Sequence, residues 1–202
     1  DIDLHPDDVA ARGNFCQVAA DGTLIDRRAG RLATPQAIRL AHMLNQIHVD
    51  GVEIHVEPVK EHRFAFVMRG EGLGSKVSDT DPLKNGVRPH PAEGSDEPSR
   101  RTAALVNEYI AKVNQVLADE SPANSILLRG FDKLPVLPSY TELFGLKAAA
   151  IAVNGMYKGV SRLVGMQVLP VDGVSMQDEF TTLERYWQDF DYFYLHIKQT
   201  DT

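Results

Sequence analysis

Residues 148–170 read AAAIAVNGMYKGVSRLVGMQVLP, an apolar run that is followed by a helix-like segment and then by a second short apolar run. The same rhythm continues downstream, where Phe180–Gln188 is predicted to be a helix and Tyr192–Ile197 a strand. Strands that alternate with helices are typical of βαβ units on a mostly parallel sheet. The sequence therefore predicts an α/β unit from Phe131 onward.

The first part of the chain shows a different pattern, in which hairpins alternate with helices. Asp21-Gly22 predicts one tight hairpin turn, and a second hairpin is expected to join Val52–Val56 to Arg63–Met68. A helix is predicted to begin at Thr34-Pro35, and another follows later in the chain. We therefore expect a separate α+β domain with a mixed sheet over residues 1–130.

The composition is that of a globular protein and excludes several classes of partner. The chain has 202 residues, of which 43% are hydrophobic and 24% charged, and its net charge is −7. Nucleic acid is not expected as a partner, because phosphate backbones select basic surfaces. The longest apolar run, Ala148–Val153, is too short to cross a membrane, and no signal peptide is recognisable. The oligomeric state is left open.

The single cysteine and the two ends of the chain indicate its context. Cys16 excludes an intramolecular disulfide, and its apolar neighbours predict a buried, inert thiol rather than a reactive one. Such a chain fits the reducing cytoplasm. The chain begins at Asp1 without a methionine and ends just after a predicted core strand, so we expect a piece of a longer protein.

Local motifs for a complete catalytic centre are absent from the sequence. It contains no Walker A loop and no HExxH, CxxC or G-x-S-x-G sequence, and its seven histidines are scattered. A two-metal site or a catalytic triad therefore cannot be assembled from neighbouring residues. This weakens the case that the chain alone is a catalyst.

Arginines gather near the ends of predicted strands. Three lie within residues 26–31 (DRRAGR), and Arg12, Arg69 and Arg129 each lie at the edge of a predicted strand. Arginine beside a strand end and a glycine turn is well suited to grip a carboxylate or phosphate with two hydrogen bonds. Exposed arginines are, however, usually solvated and contribute little. The pattern leaves open whether these side chains converge on one cleft.

A glycine-rich stretch and the Ser/Asp stretch after it form a second candidate. Residues 68–75 (MRGEGLGS) could bring backbone amides close to an anion, although a plain flexible loop is the simpler interpretation. Asp79 and Asp81 could aim oxygens at hydroxyls or a cation, or could stabilise turns through backbone amides. The segment from Gly70 to Arg100 is predicted to be a loop, and loops of this length are usually functional or mobile.

Asp201 follows the last predicted strand. Open α/β folds place ligands beyond the carboxyl ends of their strands, which makes Asp201 a candidate ligand-binding residue. A loop cap is the alternative interpretation. One carboxylate does not define a metal site by spacing.

Residues 68–82 (MRGEGLGSKVSDTDP) resemble the R-G-E-G-L…V-S-D-T-D-P signature of archaeal-type 2,3-bisphosphoglycerate-independent phosphoglycerate mutases, which belong to the alkaline phosphatase superfamily. Further matches follow in order over nearly the whole chain: Arg12-Gly-Asn14, Ile25-Asp26 with Ala29-Gly30-Arg31, Arg101-Thr102-Ala103, Ile126 to Gly130, Gly145 to Ala149, Lys158 to Met166 and Leu195 to Lys198.

In that family a serine, activated by two divalent metal ions that are usually manganese, takes the phosphate from one glycerate hydroxyl, and the phosphate returns to the other. The resemblance implies interconversion of 3-phosphoglycerate and 2-phosphoglycerate, a step of glycolysis and gluconeogenesis. It also implies that residues 1–130 are an inserted substrate-binding domain and that residues 131–202 are part of a phosphatase-type metalloenzyme core. The implied substrate-binding residues are Arg12, Arg31, Arg69, Asp79, Asp81, Arg129 and Lys147, and the implied metal ligand is Asp201.

The chain departs from the family's pattern at both ends. The nucleophilic serine and one metal-binding aspartate would lie before Asp1, and the remaining metal ligands after Thr202. No catalytic residue is therefore expected in this chain, which should bind substrate weakly at best and turn over nothing. Arg27-Arg28 stands where relatives often carry uncharged residues, which leaves the substrate choice open. The alternatives are a related phosphohydrolase of the same superfamily and a non-catalytic module that binds a phosphate ligand.

Overall fold

The computed structural model describes residues 2–200, except for the side chain of Gln199. The chain divides into two compact units, an N-terminal unit that ends at Leu134 and a C-terminal unit that begins at Pro135. The predicted boundary at Gly130 falls inside strand β5 (Ser125–Asp132), because the pairing of this strand continues to its last residue.

The sheet of the N-terminal unit is built around strand β1. The strands are β1 (Val9–Val18), β2 (Leu24–Asp26), β3 (Glu53–Lys60), β4 (Arg63–Arg69) and β5. Strand β1 pairs with β2, β4 and β5, and β3 pairs with β4. Every one of these pairings is antiparallel. The mixed sheet that was predicted for this domain is therefore wrong, and among the described residues parallel pairing occurs only in the C-terminal unit.

The two helices of the N-terminal unit pack on one face of the sheet. They are α1 (Thr34–Leu44) and α2 (Glu97–Val116). Side chains alternate between the two faces of a strand, and Val9, Ala11 and Phe15 of β1 are all buried in the core with these helices. Tyr109 of α2 is fully buried, and its hydroxyl donates a hydrogen bond to the carbonyl of Leu44 at 3.2 Å.

The long segment between β4 and α2 contains no helix or longer strand, but it is tied to the sheet edge. Thr80 donates its backbone N–H to the carbonyl of Leu128 and accepts the N–H of Leu128 at its hydroxyl, both at 2.8 Å. The side chain of Asn107 pairs in the same two-way manner with the backbone of Ala92. The loop therefore covers the backbone groups that β5 would otherwise expose at its edge.

Two glycines of this segment, Gly74 and Gly94, serve close packing. A Cβ atom on Gly74 would lie 2.5 Å from the backbone nitrogen of Ser99, and one on Gly94 would lie 2.1 Å from that of Arg100, both in the first turn of α2. The segment therefore lies directly on the beginning of this helix. The structure supports the simpler interpretation of the glycine-rich stretch, in which it is a loop and not an anion cradle.

The chain enters and leaves the N-terminal unit at neighbouring positions. Ala10 of β1 lies opposite Asp132 of β5, and the ammonium of Lys133 is 3.4 Å from the carboxylate of Asp7. Closely spaced ends are what an inserted domain needs, since its two connections must return to the same place. That this unit is an inserted domain stays a prediction.

The C-terminal unit has the predicted βαβ arrangement. Its strands are β6 (Ala148–Ala152), β7 (Gln167–Val168) and β8 (Tyr192–His196), in the order β7-β6-β8, and both pairings are parallel. Its helices are α3 (Tyr140–Phe144), α4 (Gly155–Leu163) and α5 (Met176–Tyr186). The α/β fold class is confirmed. The short helix α3 was not predicted, because it has only five residues and no apolar stripe. Its beginning is marked by a capping box of Ser139 and Glu142.

Among residues 2–200, no helix has both the length and the apolar character that crossing a membrane requires.

Replacing Gly13 by alanine should destabilise the N-terminal unit by about 1–3 kcal/mol, because an added methyl overpacks the core. A Cβ atom at Gly13 would lie 1.9 Å from the ring of Phe64, which is buried and packed at 4.9 Å, centre to centre, against Phe15. Urea unfolding measures the effect. Gly159→Ala is the control, since a Cβ atom there meets nothing within 4 Å. Equal unfolding free energies for Gly13→Ala and the unchanged chain would contradict this account of the core.

Candidate anion-binding site

A cavity lies on the face of the sheet opposite the helices, where Arg12 and its neighbours point. Arg12 of β1 is directly opposite Arg129 of β5, and Asn14 of β1 is directly opposite Arg63 of β4. The cavity has a volume of about 480 Å³. It is lined by side chains from three strands and three connecting segments, namely Arg12, Asn14, Arg27, Arg28, Arg31, Glu61, His62, Arg63, Leu83 and Arg129.

The turn after β2 presents three of the arginines. The carboxylate of Asp26 accepts the backbone N–H groups of Arg28 at 2.9 Å and Gly30 at 2.7 Å. Burial would raise the pKa of Asp26, but these two hydrogen bonds hold it below its ordinary value. Asp26 therefore stays charged and fixes the turn from which Arg28 and Arg31 project.

Strained backbone gathers around the cavity. In the described part of the chain, four residues other than glycine have a positive φ: Ala29 at 44°, Arg31 at 54°, Glu61 at 54° and Leu83 at 61°. Three of these four line the cavity. Left-handed conformations cost free energy for residues with a Cβ atom, and they concentrate at functional sites. The strain is consistent with a surface shaped for a ligand.

Arg27 is held by a buried carboxylate. Asp81 has no exposed side-chain surface and accepts two hydrogen bonds from Arg27, at 2.8 Å from Nε and 2.6 Å from Nη2. Burial would raise the pKa of Asp81, but the hydrogen bonds of Arg27 and the N–H of Leu83 lower it. Asp81 therefore positions Arg27 at the cavity wall from behind.

Four other guanidinium groups have no protein partner. Within residues 2–200, the side chains of Arg12, Arg28, Arg31 and Arg129 make no hydrogen bond and no ion pair with the protein. Burial lowers the pKa of Arg12, and the neighbouring charges of Arg129 and Arg63 lower it further. Like charges directly opposite one another on a sheet are destabilising. The cluster is therefore an unsatisfied set of cations that a bound anion would stabilise.

His62 is a neutral member of the lining. It is 5% exposed, and burial together with the positive charge of Arg63 lowers its pKa from 6.5 to about 4. The ring is therefore uncharged at neutral pH. Its Nδ1 has no hydrogen-bond partner.

The structure brings together three of the predicted substrate-binding residues: Arg12, Arg31 and Arg129 all line the cavity. It does not bring Arg69 there. The guanidinium of Arg69 bonds the buried carboxylate of Asp8 at 2.9 and 2.7 Å. Asp8 precedes Arg12 by four residues, which is about 13 Å of extended chain.

The other predicted residues occupy supporting or separate positions. Asp79 accepts the N–H of Gly130 at 2.7 Å and so supports the chain beside Arg129, while Asp81 positions Arg27. Lys147 belongs to the C-terminal unit, where its ammonium lies 4.6 Å from the centre of the Phe190 ring. Asp201 lies outside the described residues. Between residues 2 and 200 no group of three or more His, Cys, Asp or Glu side chains could hold a metal ion.

Sequence reasoning did not select Arg63, Asn14 or His62 as site residues. Arg63 lies at the first position of β4, where the register of the hairpin places it opposite Asn14. The signal in the sequence was the alternation of faces along β1, since Arg12 and Asn14 are two residues apart and therefore share one face. The residue of β4 that lies opposite Asn14 is known only from the strand register in the structure.

Two linked units, one with parallel strand pairing and the other with an antiparallel sheet, define an α/β protein that carries a cavity lined by unpaired arginines. The sequence model of a family described as 2,3-bisphosphoglycerate-independent phosphoglycerate mutase matches residues 1–124. The chain belongs to this family, which confirms the resemblance seen in the sequence.

Curated relatives and solved structures agree with this assignment. The chain is 45% identical, over its full length, to a probable 2,3-bisphosphoglycerate-independent phosphoglycerate mutase of a Thermotoga species, and covers 50% of that protein. A protein of the same description from Thermus thermophilus is 44% identical over 98% of the chain, which again covers 50% of the relative. The chain thus spans about half the length of the curated relatives it matches.

Among solved structures, the cofactor-independent phosphoglycerate mutase of Thermoplasma acidophilum matches 96% of the chain with a TM-score of 0.69 and 29% identity, and the chain covers 56% of it. The PH0037 protein of Pyrococcus horikoshii matches 98% of the chain with a TM-score of 0.74, and the chain covers 48% of it. At 20% identity, this second likeness concerns the fold alone.

The buried, neutral state of His62 predicts a specific pH dependence of stability. Because the pKa of His62 is lower in the folded chain than in the unfolded chain, the unfolded state takes up a proton first as the pH falls. The free energy of unfolding should therefore decrease between pH 6.5 and pH 4, by about 2–3 kcal/mol from this group.

Urea unfolding at pH 7, 5.5 and 4.5 measures this dependence. His62→Gln should flatten the profile over the same window, whereas His48→Gln should leave it unchanged because His48 is largely exposed. A profile that is the same in His62→Gln and the unchanged chain would refute the buried, neutral state.

Because Arg12 and Arg129 repel each other, we expect that removing one of them stabilises the fold and weakens anion binding. Arg129→Gln should raise the free energy of unfolding by about 0.5 kcal/mol without added anion, since it removes a like charge opposite Arg12. The same variant should gain less stability from added phosphate, because one cation of the cavity is lost. Thermal midpoints with and without phosphate, at constant ionic strength, measure both effects.

Arg100→Gln is the matched control for the phosphate response. Arg100 is exposed on α2 and pairs with Glu97, away from the cavity. Its phosphate response should equal that of the unchanged chain. A phosphate response that Arg129→Gln does not reduce would argue against an anion in this cavity.

Proposed function

We propose that the N-terminal unit holds the glycerate of a 2,3-bisphosphoglycerate-independent phosphoglycerate mutase, and that the arginine cavity is where it is held. The whole enzyme would interconvert 3-phosphoglycerate and 2-phosphoglycerate through a phosphoserine intermediate. The observation that carries the proposal is the set of four guanidinium groups without protein partners around one cavity. Family membership favours a phosphoglycerate as the anion that would satisfy them.

The charge and size of the cavity fit this class of ligand. Six arginines line it, against one lining carboxylate, that of Glu61. A phosphoglycerate carries a carboxylate and a phosphate, and guanidinium forks bind both groups with paired hydrogen bonds. The volume of about 480 Å³ lies in the range of small-molecule sites, which are roughly 300–1,000 Å³.

Holding the glycerate is a chemical contribution in its own right. The phosphate must leave one hydroxyl and return to the other, so the glycerate must stay bound while it is unphosphorylated. Strand pairing fixes the backbone positions of Arg12 and Arg129, and Asp81 holds the guanidinium of Arg27, so donors for a carboxylate come from defined places in the fold. A held acceptor converts the return of the phosphate into an intramolecular step, which raises its effective concentration.

Among residues 2–200, no cluster of three or more His, Cys, Asp or Glu side chains could hold a metal ion by itself. Two divalent ions, with manganese as the expected metal, remain part of the proposal for the whole enzyme, and Asp201 would supply one ligand. Lys147 would contribute a further cation to phosphate binding. Because no catalytic nucleophile is assigned to it, this chain alone should bind substrate and turn over nothing.

The setting of the enzyme also belongs to the proposal. A cytoplasmic location fits the free, buried Cys16, whose pKa burial raises to about 12. The partner is a small phosphorylated acid, with no role for nucleic acid or a membrane.

Calorimetric titration of the 202-residue chain with 3-phosphoglycerate tests the binding role. Arg12→Gln and Arg129→Gln should each weaken binding roughly 10-fold to 100-fold, because each removes a charged hydrogen-bond donor. Arg39→Gln should bind normally, since Arg39 pairs with Glu120 on the surface outside the cavity. Unchanged affinity in both cavity variants would refute the assignment.

A coupled assay on the full-length parent enzyme tests the reaction. With manganese and without 2,3-bisphosphoglycerate, 2-phosphoglycerate should form from 3-phosphoglycerate. Release of free phosphate instead of an isomer would favour the phosphohydrolase alternative. A full-length protein that binds the acid and forms neither product would favour a non-catalytic module.

A further inference from the structure

Unsatisfied buried polar atoms concentrate at the arginine cavity. In residues 2–200 six buried side-chain atoms lack a hydrogen-bond partner. Three of them belong to the cavity lining: Asn14 Oδ1, His62 Nδ1 and Arg63 Nε. Buried polar groups are almost always paired in native proteins, so three exceptions in one cavity call for an explanation. A bound ligand that supplies the missing partners is the simplest one.

The three atoms require different partners. Arg63 Nε is a donor, which an anionic oxygen would satisfy. Asn14 Oδ1 is an acceptor, and the neutral ring of His62 has one acceptor nitrogen. His62 Nδ1 is 3.9 Å from the carboxylate of Glu61, which is too long for a hydrogen bond. A fully ionised phosphorylated acid without a hydroxyl offers only acceptors. It would therefore leave both acceptors of the cavity unpaired.

None of the other lining side chains donates a hydrogen bond to these two atoms in the structure, and the arginines cannot replace them as acceptors. Arginine offers five donors and no acceptor, and six of the ten lining residues are arginines. The carboxylate of Glu61 is already taken by Arg63, whose Nη2 lies 3.1 Å from it. Asn14 Oδ1 is therefore a free, buried acceptor of the lining, and His62 Nδ1 is a second one in the tautomer whose proton is on Nε2.

We propose that Asn14 and His62 accept a hydrogen bond from a free hydroxyl of the bound ligand, so that the cavity selects phosphorylated hydroxy acids over phosphorylated acids of the same length without a hydroxyl. This inference rests on the proposed function and adds a specificity role for two residues that carry no charge. Two acceptors suit a ligand whose free hydroxyl is on one carbon before phosphate transfer and on the next carbon after it.

A site built to receive a hydroxyl discriminates strongly against a ligand that lacks it. When such a ligand binds, the acceptor loses its water and gains no partner. Arginines provide no such discrimination, because they bind the carboxylate and the phosphate that both ligands share. Specificity for the hydroxyl and strength of anion binding therefore reside in different residues of one cavity.

The test compares two ligands by calorimetric titration of the 202-residue chain. They are 3-phosphoglycerate and 3-phosphooxypropanoate, which has the same carbon chain, carboxylate and phosphate but no hydroxyl. The unchanged chain should bind the hydroxy acid about 10-fold to 100-fold more tightly. In the double variant Asn14→Leu/His62→Phe, the affinities for the two ligands should lie within about twofold of each other. The reason is that the variant loses affinity for the hydroxy acid alone.

Arg28→Gln is the matched control, because Arg28 lines the same cavity but has no acceptor. It should weaken both ligands by the same factor and preserve their ratio. Asn14→Leu alone should give an intermediate ratio, and circular dichroism checks the fold of each variant. The ratio in the unchanged chain tests the inference even if a variant does not fold.

The outcomes separate the two proposals. If the unchanged chain binds both ligands equally tightly, the anion site stands and the hydroxyl selection is refuted. If the folded double variant or Asn14→Leu weakens both ligands equally, the two residues have only a structural role and the inference is also refuted. If the unchanged chain binds neither ligand, the proposed function fails and the inference fails with it.

Discussion

The candidate site depends on one constraint, the strand register that places Arg12 on β1 directly opposite Arg129 on β5. Strand pairing holds these like charges together against their repulsion. Pairing of β1 with β4 on its other side adds Arg63 to the same face. The nearby carboxylates are already engaged: Asp81 with Arg27, Glu61 with Arg63, and Asp26 with backbone amides. The arginine face therefore keeps guanidinium groups without a carboxylate partner, and these unpaired positive charges make it suited to bind an anion.

The opposite face of the same sheet explains how this repulsion is tolerated. There Phe15, Phe64 and Phe66 pack with Tyr109 in a fully buried core, with ring centres 4.9 and 5.4 Å apart. Burial of large aromatic side chains stabilises by several kcal/mol in total, at roughly 25 cal/mol per Å² of apolar surface. Repulsion between partly solvated guanidinium groups amounts to about 1 kcal/mol or less per pair. The core therefore determines the sheet, and the sheet imposes the arrangement of the arginines.

Much of the fold was predictable from the chain because it depends on local pattern. The alternation of strands and helices after residue 148 predicted the parallel βαβ unit, and the two hairpins and two helices before it are also present. The family resemblance rested on residues 68–82, yet Gly74 in that stretch packs on α2 and Arg69 bonds Asp8, outside the cavity. A signature can identify a family through residues that support the fold, since close packing restricts side chains as strongly as ligand contact does.

The sequence alone predicted the fold class, the family and the burial of Cys16, and its resemblance to the family singled out Arg12, Arg31 and Arg129, which line the cavity. The fold class and the burial follow from periodicity and composition, and the family from motifs, all of which are properties of neighbouring residues. Only the tertiary structure decided that Arg63, Asn14 and His62 join them and that Arg69 does not. The reason is strand register: β4 lies about fifty residues from β1 in the chain, and a shift of one residue would turn every side chain to the other face.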